Sequence, residues 1–384
     1  MRAFLTRMPI LTFWFGNRQE SQMHRPRICF LPVAGKEDPG QLLRMQGLRD
    51  SGQFEVIHGV HARFFAGIRT CLKYHPDFLY FDWIARYHHG RTSLVTAFKI
   101  FAFMIDVKVV TKIFRCPVVW SLHNLHSHES ASFFNFEGAL QRYFARHVSV
   151  VRVFSASSVD RACIVLGIDR GKIRVVPEGD FSNFYPNVIL SEEARLRLNL
   201  AREDLVLLWL GSIRPYKGLH ELITTFQKCA RSNWRLVIAG KPFIASYAWE
   251  ISALVQGDSR IQLHERFIPE DELQVFYNAA DAVVLPFAEV ENSGSVCMAM
   301  GFRKPVVAPA LGVIGERLCH QPDLVYPPGG LSNALAVLAA LPAARIAQIG
   351  ELNYKEIRGY AWTNLARVFT ELLASQEISA TRIS

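Results

Sequence analysis

The six-residue apolar run Leu205-Val206-Leu207-Leu208-Trp209-Leu210 ends directly in Gly211-Ser212-Ile213-Arg214-Pro215-Tyr216-Lys217-Gly218, and a helical pattern from Leu219 to Ala230 follows. A buried strand, a glycine turn and a helix start leave few options beyond a βα unit of a parallel sheet. Glycine lets backbone approach a ligand closely, and a helix N-terminus offers unpaired N–H groups. Arg214 and Lys217 add a planar fork and a point charge at the same mouth. The segment reads as a diphosphate site, against the plainer reading of a solvated basic loop.

A second segment has the same form. Asp281-Ala282-Val283-Val284-Leu285-Pro286-Phe287 runs into Glu289-Val290-Glu291-Asn292-Ser293-Gly294-Ser295, then a helical stretch, then Lys304-Pro305-Val306-Val307-Ala308. Ligands of open α/β sheets sit at the carboxyl ends of strands, so the two loops can face one ligand.

Apolar strand-like runs alternate with helical patterns along both halves of the 384 residues, which favours an α/β chain of two domains. The expected divisions are a lead-in at 1–24, a first domain at 25–182, a connection at 183–203, a second domain at 204–359 and a terminal segment at 360–384. The seven cysteines are scattered without a C-x-x-C, which disfavours a zinc cluster or a disulfide scaffold. The net charge of +9 comes without a nucleic-acid-binding motif, so nucleic acid is not the expected partner and an anionic membrane surface is. Two segments could meet that surface. Residues 1–16 mix aromatics with Arg2 and Arg7 but are too short to span a bilayer. They read as a disordered lead-in, an interfacial anchor or sequence upstream of a start at Met23. The stretch Arg91 to Arg115 is a basic amphipathic helix, which can pack one face in a core and lay another on headgroups.

The ordered set of G-x-I-R-P-Y-K-G, Ala239-Gly240, Phe267-Ile268-Pro269, Ala279-Ala280-Asp281, the acidic loop and K-P-V-V-A resembles the C-terminal half of GT-B glycosyltransferases of the family 4 type. In the first half, Trp120-Ser121-Leu122-His123-Asn124-Leu125-His126-Ser127-His128-Glu129 resembles a segment of bacterial exopolysaccharide transferases, including β-mannosyltransferases of the xanthan type. The resemblance implies two Rossmann-like domains facing a cleft and a terminal helix returning to the first domain. It implies hexose transfer from a nucleotide diphosphate sugar, GDP-mannose preferred, to a lipid-linked oligosaccharide. The place would be cytoplasmic, peripheral on the inner face of the cell membrane. No cofactor beyond the donor is implied, and the chain has no D-x-D tripeptide, consistent with chemistry without a metal.

The resemblance also distributes roles. Gly211, Arg214, Lys217, Glu291, Asn292, Ser293, Gly294 and Ser295 would bind the donor. His123 would approach the donor sugar, and His128, Glu129 and Asp82 are candidate bases for the acceptor hydroxyl. Gly35 and Lys36 lie in a first loop that would close on donor or acceptor. Two positions depart from the pattern. Met298 stands where a glutamate usually holds the nucleotide ribose, and its thioether cannot replace that contact. Glu178 stands where relatives often have histidine. The departures keep other readings open: a UDP-sugar donor, a catalytically idle binding partner, or a sugar-nucleotide epimerase of similar fold.

Overall fold

The computed structural model describes residues 25–34, 38–90, 92–124 and 134–381, with backbone only at 134–136 and 376–381. Two parallel six-stranded sheets organise the chain. The first comprises β1 (Arg27–Leu31), β2 (Glu55–His58), β3 (Phe78–Phe81), β4 (Val118–Ser121), β5 (Val150–Val153) and β6 (Ile173–Val175) in the order β2-β1-β3-β4-β5-β6. The second comprises β7 (Leu205–Leu210), β8 (Trp234–Ala239), β9 (Ile261–His264), β10 (Ala282–Val284), β11 (Val306–Pro309) and β12 (Val325–Tyr326) in the order β12-β11-β10-β7-β8-β9. This is the expected α/β class. Strands such as Phe78–Phe81 and Val306–Pro309 are buried along their whole length because helices cover both faces.

The strand order reverses between β1 and β3 in one sheet and between β7 and β10 in the other. Crevices form where neighbouring crossovers leave in opposite directions, and both reversals open into the same cleft.

The stretch 183–203 is more than a connection. It contains the helix Ser191–Arg197, and Ala194, Leu198 and Leu200 join the core of the second domain. Arg195 holds it there by an ion pair with Asp281 and hydrogen bonds to four backbone carbonyls. At the other end, the helix Ala366–Thr381 lies on the first sheet, where Phe369 meets Phe54, Phe78 and Tyr80. Trp362 precedes it, wedged so closely that a Cβ on Gly47 or Gly179 would approach it to 2.5 and 2.4 Å.

The helix Ser93–Lys112 is apolar on two sides. Phe103, Val107 and Val110 enter the first core. Leu94, Phe98, Phe101 and Ile105 form an exposed stripe at helical spacing, continued by exposed Lys108 and Lys112. Among the described residues no single helix is long and apolar enough to cross a membrane. The lead-in 1–24 and the first-loop residues Gly35 and Lys36 lie outside the described residues.

Candidate active site

A cleft of about 750 Å³ opens between the two sheets. Its second-domain wall is built by the two glycine loops. β7 stops at Gly211, and Pro215–Lys217 makes a single tight turn before the helix Leu219–Cys229. Gly218, at φ +69°, joins turn to helix, and a Cβ there would collide with the Pro286 carbonyl oxygen at 1.6 Å. The two loops are therefore in backbone contact, and the Ala288 N–H donates to the Tyr216 carbonyl at 2.8 Å.

Lys217 turns its ammonium back toward Gly211. Burial lowers its pKa to about 8, with the Arg214 guanidinium adding to the effect. Among the described residues Lys217 forms no ion pair with a carboxylate. Arg214 lies over the Phe243 ring at 3.6 Å and lines the cleft. Facing them is the start of the helix Gly294–Gly301, with Gly294 and Ser295 on the cleft wall. Ser293 caps this helix, its hydroxyl accepting from the Val296 N–H at 3.2 Å. Two cations and a helix N-terminus thus converge where strand order reverses, an arrangement suited to an anion.

The first-domain wall carries a buried charge network. Asp82, just past β3, accepts from Gln41 Nε2 at 3.1 Å, from Arg44 Nη2 at 3.0 Å and lies 2.9 Å from His123 Nε2. Arg44 also pairs with Glu178, which in turn accepts from Asn292 Nδ2 at 3.1 Å. The chain of contacts His123–Asp82–Arg44–Glu178–Asn292 runs from one domain to the other. Burial raises the Asp82 and Glu178 carboxyls, but their partners together outweigh it, Arg44 with His123 and Gln41 at Asp82 and Arg44 with Arg152 and His123 at Glu178, and hold both below the usual carboxylate range.

This geometry revises several expectations. Asp82 is unsuited to serve as the base, because it is fully buried, held ionised by Arg44, and has both oxygens engaged. It orients His123 instead. Its oxygen occupies one ring nitrogen, leaving Nδ1 as the remaining polar ring atom, and Trp83 stacks on the ring at 3.7 Å. Glu291 does not line the cleft but pairs with Arg161 of the first domain at 2.7 Å. Asn292 likewise reaches across to Glu178. Met298 is half-buried and packs against the second core. His128 and Glu129 lie outside the described residues. Arg44 was not legible in sequence as a site residue, because its partners are 38 and 134 positions away. His88, Glu137 and Gln141 also line the cleft and carry no recognisable motif.

Residues 204–340 match the model of a family described as glycosyl transferases group 1. Over 103 residues the chain is 31% identical to a GDP-mannose:glycolipid 4-beta-D-mannosyltransferase of Xanthomonas campestris, covering 27% of this chain and 30% of that protein. The match therefore spans less than a third of that relative. An uncharacterised glycosyltransferase of Methanocaldococcus jannaschii is 27% identical over 270 residues, 66% of this chain and 68% of its own length. Among solved structures, sucrose-phosphate synthase of Thermosynechococcus elongatus superposes with a TM-score of 0.70 at 16% identity, covering 93% of this chain and all of that one. Anabaena HepE in complex with UDP and glucose gives 0.69 at 18% identity over 91% of this chain and all of its own. These likenesses show the GT-B fold.

Proposed function

We infer that this chain, whose residues 204–340 match the glycosyl transferases group 1 model and whose fold is GT-B, is a glycosyltransferase that moves a hexose from a nucleotide diphosphate sugar to a lipid-linked oligosaccharide. The observation that carries the reading is the position of Lys217 and Arg214 opposite the Gly294–Gly301 helix start, at the strand-order reversal of the second sheet. Negative charge develops on the departing diphosphate, and fixed cations and helix N–H groups aimed at it lower the barrier. This arrangement needs no bound metal. His123, held by Asp82 through one nitrogen, faces the donor sugar with the other.

GDP-mannose is the preferred donor and exopolysaccharide biosynthesis the preferred setting. The mannosyltransferase relative and the His123-Asn124 segment support this choice. A UDP-sugar is the second reading, favoured by the structural likeness to a UDP complex. The exposed stripe Leu94, Phe98, Phe101 and Ile105, bordered by Lys108 and Lys112, supports a peripheral seat on an anionic leaflet, cytoplasmic side.

Calorimetric titration with GDP, UDP, ADP, dTDP and their common sugars, without metal, tests the assignment. Selective binding of GDP-mannose supports the preferred donor, and selective UDP-sugar binding replaces it. No binding to any of them removes the glycosyltransferase reading.

A further inference from the structure

The cleft wall opposite Lys217 holds two polar side chains that the donor reading does not use. His88 ends the short helix Ala85–His88 and is 2% exposed, and among the described residues its Nε2 has no hydrogen-bond partner. Gln141, from the helix Phe134–His147, is 5% exposed, and its Oε1 likewise has none among the described residues. Both line the cleft. A buried polar atom without a partner costs about 1–3 kcal/mol, so two on one wall ask for a ligand that satisfies both.

The chemistry of that ligand can be narrowed. A carbonyl oxygen such as Oε1 needs a donor, while an uncharged imidazole nitrogen can donate or accept according to its tautomer. Burial, with His89 and Lys99 nearby, lowers the His88 pKa to about 3, so the ring is neutral at working pH. A hydroxyl group both donates and accepts and carries no charge, which suits the pair. An anion would suit the orphan Oε1 poorly. A divalent cation is the other candidate, because ligand atoms of His88, His89 and Glu137 lie within 4.8 Å of one another. The surroundings oppose it: Lys99 Nζ donates to the carbonyls of Arg86 and His89, placing an ammonium beside the group. Trp83 stands next to this wall and is 39% exposed, its indole a flat apolar surface for the carbon face of a ring.

We propose that His88 and Gln141 form the hydroxyl-reading wall of an acceptor subsite that takes a neutral pyranose and presents it to the donor held by Lys217 and Arg214. The proposal rests on the glycosyltransferase reading for the role of the sugar, but binding at this wall can be measured apart from it. His88→Leu and Gln141→Leu keep much of the volume and remove the orphan atoms.

The test is saturation-transfer NMR of the full chain with methyl glucoside, methyl galactoside and methyl mannoside, beside calorimetry with the nucleotide sugars and with zinc alone. The expected result is transfer to at least one glycoside, lowered tenfold or more in each variant, with nucleotide-sugar affinity unchanged and the melting temperature not reduced. Absence of transfer to all three glycosides overturns the proposal, as does transfer indifferent to both variants. One-to-one zinc binding abolished by His88→Leu, without glycoside binding, also overturns it in favour of a metal site. Because Gln141→Leu lies on a different helix, it decides the matter if His88→Leu fails to fold. Glycoside binding together with no nucleotide-sugar binding would sink the glycosyltransferase reading while leaving the subsite in place.

Discussion

A Cβ built on Gly211 would stand 2.7 Å from the ammonium of Lys217. The glycine keeps open the volume that the lysine head occupies at the end of β7. Gly211→Ala is expected to displace that head and weaken nucleotide-sugar binding by about tenfold, equivalent to roughly 1.4 kcal/mol. Calorimetry reads the affinity, and circular dichroism checks that the fold persists. Unchanged affinity would mean that the position of Lys217 is not what holds the donor.

Lys217 also makes donor binding depend on pH. Its pKa in the free protein is lowered to about 8, mainly by burial. A diphosphate diester stays ionised throughout this range and favours the charged lysine, so binding takes up a proton near that pH. Nucleotide-sugar affinity should therefore be full below about 8 and fall as pH rises through it. In Lys217→Met the dependence should flatten, and affinity at pH 7 should fall by roughly 1.5–3 kcal/mol, the worth of a charged hydrogen bond. The same pH slope in wild type and variant would exclude Lys217 as its source.

Asp82→Asn preserves shape but removes the charge that orients His123 and neutralises Arg44. Turnover is expected to drop on the order of 10²-fold, as for loss of a positioned acid–base group, with donor affinity little changed. A kcat unaffected by the change would show that the Asp82–His123 contact is structural only.

Arg44 is 2% exposed and serves two carboxylates at once. Arg44→Met leaves Asp82 and Glu178 facing each other in the interior, and chemical denaturation should report a loss of about 3–5 kcal/mol. Both carboxyls are depressed below their ordinary values of 3.8 and 4.5. Their stabilisation is complete above those values and is lost as pH falls through the lower folded-state pKa values. Wild-type stability should therefore decline below about pH 4.5, and Arg44→Met should show a shallower acid slope. Equal acid slopes would locate the acid sensitivity elsewhere.

The exposed stripe of the Ser93–Lys112 helix can be altered without touching the core. Replacing Leu94, Phe98 and Phe101 together with serine should abolish co-sedimentation with vesicles containing phosphatidylglycerol. Donor affinity should remain as in the parent protein, because none of the three lines the cleft. Persistent sedimentation of the triple variant would place the membrane contact on another surface.

Much of the second domain's cleft wall can be read from residues adjacent in sequence. Gly211, Arg214, Lys217, Gly294 and Ser295 sit on two βα loops, and a βα loop has a predictable place at the carboxyl edge of a parallel sheet. The first-domain wall is different. Glu178 has no sequence neighbours that mark it as a site residue, and only the contact with Arg44, 134 positions away, shows that it anchors a network. Glu291 and Asn292 stand in the acidic loop beside Ser293, yet the approach of the first domain draws their side chains away to Arg161 and Glu178.

Sequence by itself determined the alternation of strand and helix, the two sheets and the cationic turn, because each depends on the periodicity and turn chemistry of neighbouring residues. Tertiary structure alone decided which charges are neutralised, which carboxylate is locked as a support rather than free as a base, and which buried polar atoms lack partners. Those outcomes depend on distances between residues far apart in the chain, and desolvation and pairing act through space with no counterpart in sequence order.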